Sequence, residues 1–221
     1  MIKTPELDKE KNKLSFITDI PVSLANAIRR SVLEMPVMAI DEIEIMKNDS
    51  ALYDEIIAHR IGLIPIRTEK GLKETKFRIK EKGPKTVYSG DMKPDVGTSY
   101  NLPIVILDKD QELEVVCDAK LGKGIDHIKH SPGLVYYKHD VDPEIIDFIT
   151  VDADGKVSYD DEEIELKKLT NEQKDKIKKL KNANQLIFNI ESWGQIAVKD
   201  IFPGAIEALK SNLDELNKAL K

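Results

Sequence analysis

The sequence predicts an α+β fold: a discontinuous α/β domain built from the two ends of the chain, with a mostly β domain inserted between them. Three observations predict it. A strand–helix–strand pattern opens the chain, a strand–helix pattern closes it, and short apolar runs broken by Gly, Pro and Asp fill the middle. The expected divisions are residues 1–42 and 181–221 for the α/β domain, and 43–180 for the inserted β domain with its charged connector.

The first element is Lys13–Asp19 (KLSFITD), a strand with Leu14 and Phe16 on one face. Pro21 then opens a helix and Pro36 closes it, since a proline there forbids continuation. On that helix, at about 100° per residue, Leu24, Ala25, Val32 and Met35 fall within about 60° of Ile28 as an apolar stripe. Asn26, Arg29, Arg30 and Leu33 lie on the other side. Two adjacent guanidiniums, an amide and a leucine suit a surface clamped by a second body, because the planar Arg fork is pre-organised for interface ion pairs. The helix therefore reads as sandwiched. Ala39–Met46 alternates Glu42 and Glu44 against Ile43 and Ile45, a half-buried strand.

Asn48–Ser50 predicts the cap of a second helix, Ala51–Ile61, ending at Gly62 in a left-handed C-cap, with Leu52, Ile56 and Ile57 inward. From Leu63 to Asp140 the β-like runs are Lys76–Lys80, Thr86–Ser89, Pro103–Leu107, Glu112–Ala119 and Leu134–Lys138. In Val151–Val157, Asp154-Gly155 signals a hairpin turn. Asp160–Lys181 reads as a solvated charged helix, with a capping box at Thr170 and Gln173. Gln185–Glu191 is a strand, and Pro203–Leu220 a helix with Pro203 in its first turn.

That last helix carries Ile206, Leu209, Leu213, Leu216 and Leu220 at spacings of 3, 4, 3 and 4. Core packing against its own sheet is the ordinary explanation. A narrow, long seam on a terminal element, with nothing following to cover it, suits a partner helix better.

Composition excludes several classes. Hydrophobic residues make up 41% of the 221, enough for a core. No apolar run approaches the roughly 18 residues of a membrane span, and the N-terminus has no apolar signal core, so a soluble cytoplasmic protein is expected. A single cysteine, Cys117, excludes an internal disulfide and any thiolate-held zinc or iron–sulfur site. The net charge of −6, from 40 acids against 34 bases, predicts a chain that does not grip nucleic acid by itself.

Catalytic constellations are missing. His127 and His130 (DHIKH) have a metal-pair spacing with Asp126 beside them, but no HExxH pattern or general base accompanies them. Thr150–Asp161 overlaps a calcium loop in part, through Asp152, Asp154, Gly155, Val157 and Ser158, yet Thr stands at position one and Asp at position twelve. A hairpin with an Asp-Gly turn explains the same letters more simply. Leu121–Gly124 lacks the phosphate-loop spacing, and no clustered aspartates suit a two-metal site.

Four blocks carry a resemblance: NAIRRSVLEMPVMAIDEIEI (Asn26–Ile45), EIIAHRIGLIPI (Glu55–Ile66), GKGIDHIKHSP (Gly122–Pro132) and FNIESWGQI (Phe188–Ile196). In this order they resemble the α-like subunit family of multisubunit RNA polymerases, in its archaeal form. The resemblance implies a non-catalytic assembly scaffold, since the active site of these polymerases lies in the two largest subunits. It implies a dimerisation domain that pairs with the small α-like subunit L, docking of the large catalytic subunits, and the small subunits N and P alongside. On this chain the implied contact to L is Leu24, Ile28, Val32 and Met35 with Ile206, Leu209, Leu213, Leu216 and Leu220; Asn26, Arg29 and Arg30 face a large subunit. Some archaeal relatives insert a cysteine-rich domain before the last strand; here Asp142–Lys181 has no cysteine, so no iron–sulfur cluster is expected. Two rival readings are a stand-alone homodimeric adaptor using the same seam and a metalloenzyme built on His127 and His130.

Overall fold

The computed structural model describes residues 2–69, 71, 73–152, 154–160, 162 and 169–221. The strands and helices in chain order begin with β1 (Lys3–Asp8), β2 (Lys13–Thr18), α1 (Val22–Ser31), β3 (Val37–Asn48), α2 (Asp54–Gly62) and β4 (Glu74–Lys82). There follow β5 (Lys85–Tyr88), β6 (Pro103–Leu107), β7 (Glu112–Gly122), β8 (Gly133–His139), β9 (Thr150–Val151) and β10 (Val157–Ser158). The last three are α3 (Asn171–Lys179), β11 (Leu186–Ser192) and α4 (Val198–Ala219). The fold is α+β, and both of its compact units are discontinuous: Met1–Arg30 with Val135–Glu191, and Ser31–Leu134 with Ser192–Lys221. Neither division falls at the expected 42/43 or 180/181 boundaries.

The first unit is organised by a sheet in the order β1-β2-β11-β8. Alternation puts Phe16, Leu186, Phe188 and Ile190 on its buried face. Phe16 stacks on its cross-strand partner Phe188 with centroids 5.5 Å apart, and Tyr137 packs on the same ring. This explains why β8 leaves the inserted β domain to which its sequence position assigned it: Tyr137 completes the aromatic cluster of β11. Strand β1 has no hydrophobic signature, since all six residues are exposed, and it escaped the sequence reading; it is held by antiparallel pairing to β2. A small satellite core gathers Ile145 and Ile177 with Val141, Phe148, Ile149, Leu169 and Leu180. The predicted capping box is present, with Thr170 N donating to Gln173 Oε1 (3.0 Å) and Gln173 N to Thr170 Oγ1 (3.2 Å). Within the charged stretch before it, Asp161 and residues 163–168 lie outside the described residues.

The second unit has β7 at the centre of an antiparallel sheet, β3-β7-β4. The opening strand–helix–strand pattern therefore does not share one sheet, because β3 pairs along its length with β7. The core joins Ile79, Val115, Cys117, Leu113 and Phe77 of the sheet to Ile57 and Ile61 of α2. Helix α2 starts at Asp54, not Ala51. Asn48 and Ser50 do not cap it: Asn48 Nδ2 donates to the Leu52 carbonyl (2.8 Å) and Asp54 Oδ1 (2.7 Å), closing the loop that precedes the helix. Gly62 belongs to the helix, and the C-cap Leu63 is right-handed at φ −93°, so the expected left-handed glycine cap is absent. Its inner face is Ile57 and Ile61, while Ile56 is exposed.

The terminal helix begins at Val198, five residues earlier than the proline predicted, and Pro203 sits inside it. A proline there removes the N–H that would reach the Lys199 carbonyl. Burial of Val198, Ile201 and Ala205 along the same turns offsets that loss.

Candidate subunit interface

Helix α4 changes character along its length. Its first turns, through Val198, Ile201 and Ala205, are buried and pack on the short 3-10 turn Val32–Glu34. Gly204 lets Met35 lie against the helix backbone, since a Cβ there would meet the Met35 side chain. Ile206 and Leu209 are half-buried. From Lys210 onward every residue is exposed, and Leu213, Leu216 and Leu220 show 52%, 55% and 77% of their surfaces to solvent. About 16 Å of helix, at 1.5 Å per residue, is thus left exposed by the described residues.

The stripe on α1 behaves differently. Ile28, Val32 and Met35 are each at most 5% exposed, so only Leu24, at 41%, stands open. The expected uncovered ridge near the N-terminus is thereby corrected: the chain's own atoms take up most of it. On the polar side, the Arg29 guanidinium donates to Asn26 Oδ1 through Nε (3.2 Å) and Nη2 (2.9 Å), a one-turn clasp that fixes its direction. Arg30 is exposed and makes no ion pair among the described residues. Of Asn26, Arg29 and Arg30, it is Arg30 whose fork is available.

His127 and His130 do not form a ligand pair. His130 is buried, with Nδ1 2.7 Å from the Val37 carbonyl, so that nitrogen carries the proton and donates. Its ring covers Gly122, where a Cβ would fall 2.5–2.7 Å from three ring atoms. His127 is exposed, and its Nδ1 accepts from Lys129 N. Among the described residues no three His, Cys, Asp or Glu side chains are grouped to hold a metal ion. Two further groups of the Gly122–Pro132 loop are committed within the chain, while Ile125 and Ile128 stand exposed at 63% and 67%. Lys129 pairs with Asp41 at 3.1 Å, which with Lys120 holds the Asp41 carboxyl below its ordinary range against the opposing effect of burial. The Gln195 side chain donates to the Lys129 carbonyl (3.1 Å) and the Met38 carbonyl (3.3 Å).

Thr150–Val151 and Val157–Ser158 pair as the β9–β10 hairpin, with Gly155 at φ +78°. Asp152 Oδ1 accepts from Asp154 N (3.0 Å) and Lys156 N (2.8 Å), so its carboxylate serves the turn. Asp161, position twelve of the calcium pattern, lies outside the described residues. Cys117 is fully buried, and burial, with a smaller contribution from Asp118, pushes its thiol up to about 12. No helix among the described residues is long and apolar enough to cross a membrane.

One surface escaped the sequence reading. The outward side of α2 exposes Tyr53, Ile56 and Leu63, beside exposed Ile106 on β6. The 3-7-10 offsets of Ile56, Arg60 and Leu63 from Tyr53 were the available signal, masked by the stronger inward pattern.

An α+β chain whose last helix bears an uncovered leucine seam has the form of an oligomerisation subunit. Residues 16–213 match the family model described as the RNA polymerase Rpb3/Rpb11 dimerisation domain, and the chain belongs to that family. Among its relatives, the DNA-directed RNA polymerase subunit Rpo3 of Halobacterium salinarum is 30% identical, over 97% of this chain and 96% of the relative. The Rpo3 of Archaeoglobus fulgidus is 30% identical over 100% and 99%. The Rpo3 of Pyrococcus horikoshii is 43% identical over 63% of this chain, a match that spans 60% of that relative's length.

Proposed function

We propose that this chain is a non-catalytic assembly scaffold of an archaeal DNA-dependent RNA polymerase, the larger of its two α-like subunits. The observation that carries the reading is the bare seam Leu213, Leu216 and Leu220 at the end of a family dimerisation domain. A soluble protein holds such a stripe in water only when another surface covers it. The occupant is the small α-like subunit L, with Ile206 and Leu209 at the seam's buried end and Leu24 as the open member of the α1 stripe. Ile28, Val32 and Met35 are buried within the chain and make no direct contact in this reading. Arg30 reaches a large catalytic subunit, with Arg29 braced by Asn26 beside it, and the small subunits N and P dock alongside. Nucleotide addition belongs to the whole complex, and no residue of this chain takes part in it. The chain carries no iron–sulfur cluster, acts in the cytoplasm and makes no direct nucleic-acid grip, in keeping with its single buried cysteine and charge of −6.

Purification of the tagged chain from its native cells tests this. It is expected to arrive in a complex far larger than its own 25.0 kDa, carrying the large polymerase subunits. Recovery at about twice that mass, as a pair of identical chains, would overturn the scaffold reading in favour of a homodimeric adaptor.

A further inference from the structure

We infer that the last three turns of α4 are a conditional helix, which becomes fully ordered only when the partner's apolar helix seats on Leu213, Leu216 and Leu220. The inference rests on the scaffold reading for the identity of the partner, and on the structure for the coupling. Two independent observations meet there. Every residue from Lys210 to Leu220 is exposed, so packing among the described residues does little to stabilise those turns. The same turns carry four weak helix formers among their eleven residues: Ser211, Asn212, Asp214 and Asn217 rank well below Ala, because their short polar side chains compete for the backbone. The opposite-charge pairs one turn apart, Lys210–Asp214, Asp214–Lys218 and Glu215–Lys218, are all solvent-exposed and offset these four residues only in part. Helices in water owe most of their stability to a packed face, and here that face is supplied from outside.

The flanks state the partner's chemistry. Taking Leu213 and Leu216 as the seam, the positions beside it are Lys210, Asn212, Asn217 and Ala219, neutral or small apart from one lysine. The complement is a helix with an apolar seam and uncharged shoulders, meeting a single acid opposite Lys210. Charge therefore contributes little to holding the pair, and the apolar contact most of it. Asp214, Glu215 and Lys218 fall on the far side and stay solvated.

Hydrogen exchange on the intact chain, alone and with the small α-like subunit from the same cells, reads the coupling directly. Amides beyond Lys210 are expected to exchange near the unprotected rate in the chain alone, while those of Ile201–Leu209 are protected; the partner should bring the terminal amides to comparable protection. Ser211 gives a second readout, because it lies opposite the seam. Ser211→Ala is expected to bind the partner about fivefold more tightly than Ser211→Gly, the ratio that the Ala–Gly difference in helix propensity corresponds to. Equal affinities, or terminal amides already protected in the chain alone, would show a pre-formed helix and overturn the coupling while leaving the scaffold reading intact. Failure of the wild-type chain to bind this partner at all would overturn both.

Discussion

The Gly122–Pro132 loop and the end of α4 both stood out in the sequence, and the structure treats them in opposite ways. In the loop three distinctive groups are consumed inside the chain: His130 on Val37, Lys129 on Asp41, and Gly122 under the imidazole ring, while Ile125 and Ile128 stay exposed. At the end of α4 nothing is consumed, and three leucines face solvent. The difference teaches where to look for function in a chain of this kind. His130 and Lys129, at suggestive spacing, were structural, and the proposed interaction surface is where the chain leaves apolar area exposed.

The largest effect expected from breaking this contrast is at the seam. Replacing Leu213 and Leu216 together by Asp should weaken partner binding by at least about 100-fold, roughly 2.7 kcal/mol, as befits two central apolar anchors. Thermal unfolding of the isolated variant should be little changed, because both side chains are more than half exposed in the chain alone. A matching loss of stability would show that the seam packs within its own fold.

At the loop the signs reverse. Gly122→Ala should cost about 2 kcal/mol of stability by driving a Cβ into a ring that is pinned at Nδ1. Combining it with His130→Ala should return part of that loss, a coupling that denaturant titration of the four proteins would measure. Purely additive losses would mean that the ring and the glycine do not oppose one another.

Cys117 sharpens the comparison from the side of the core. Its folded pKa, near 12, lies above the ordinary thiol value of 9.0. The thiol therefore contributes stability that is fully present below about pH 9 and is lost as pH rises towards 12, at up to about 1.4 kcal/mol per pH unit. Cys117→Ala should flatten that part of the pH–stability curve, and the native thiol should resist alkylation until the chain unfolds. The smallest effect is at Asp41, whose exposed pair with Lys129 should contribute less than about 1 kcal/mol. Because the folded carboxyl sits below its ordinary range, this contribution is present at neutral pH and is lost as pH falls below about 4. Asp41→Asn should remove that small acid dependence.

Period alone made much of this legible. Alternating residues located β2, β6, β7 and β11, and the 3-4-3-4 leucines located the terminal seam. Local chemistry was weaker. Pro203 pointed to a helix start that tertiary burial of Val198 and Ile201 overrode, and Asn48 with Ser50 looked like a cap but closes a loop. Sheet membership was not legible, because the pairing of β3 with β7 and the capture of β8 by the Phe16–Phe188 stack join residues far apart in sequence. Nor could spacing tell which half of the seam the chain covers for itself, since Ile206 and Leu220 obey one period but lie at opposite ends of a burial gradient.

Co-expression with the small α-like subunit, followed by measurement of the mass in solution, addresses the central claim most directly. One copy of each chain is the predicted result, reverting to separate chains when Leu213 and Leu216 are changed to Asp. A wild-type chain that remains at 25.0 kDa beside the unbound subunit would contradict it.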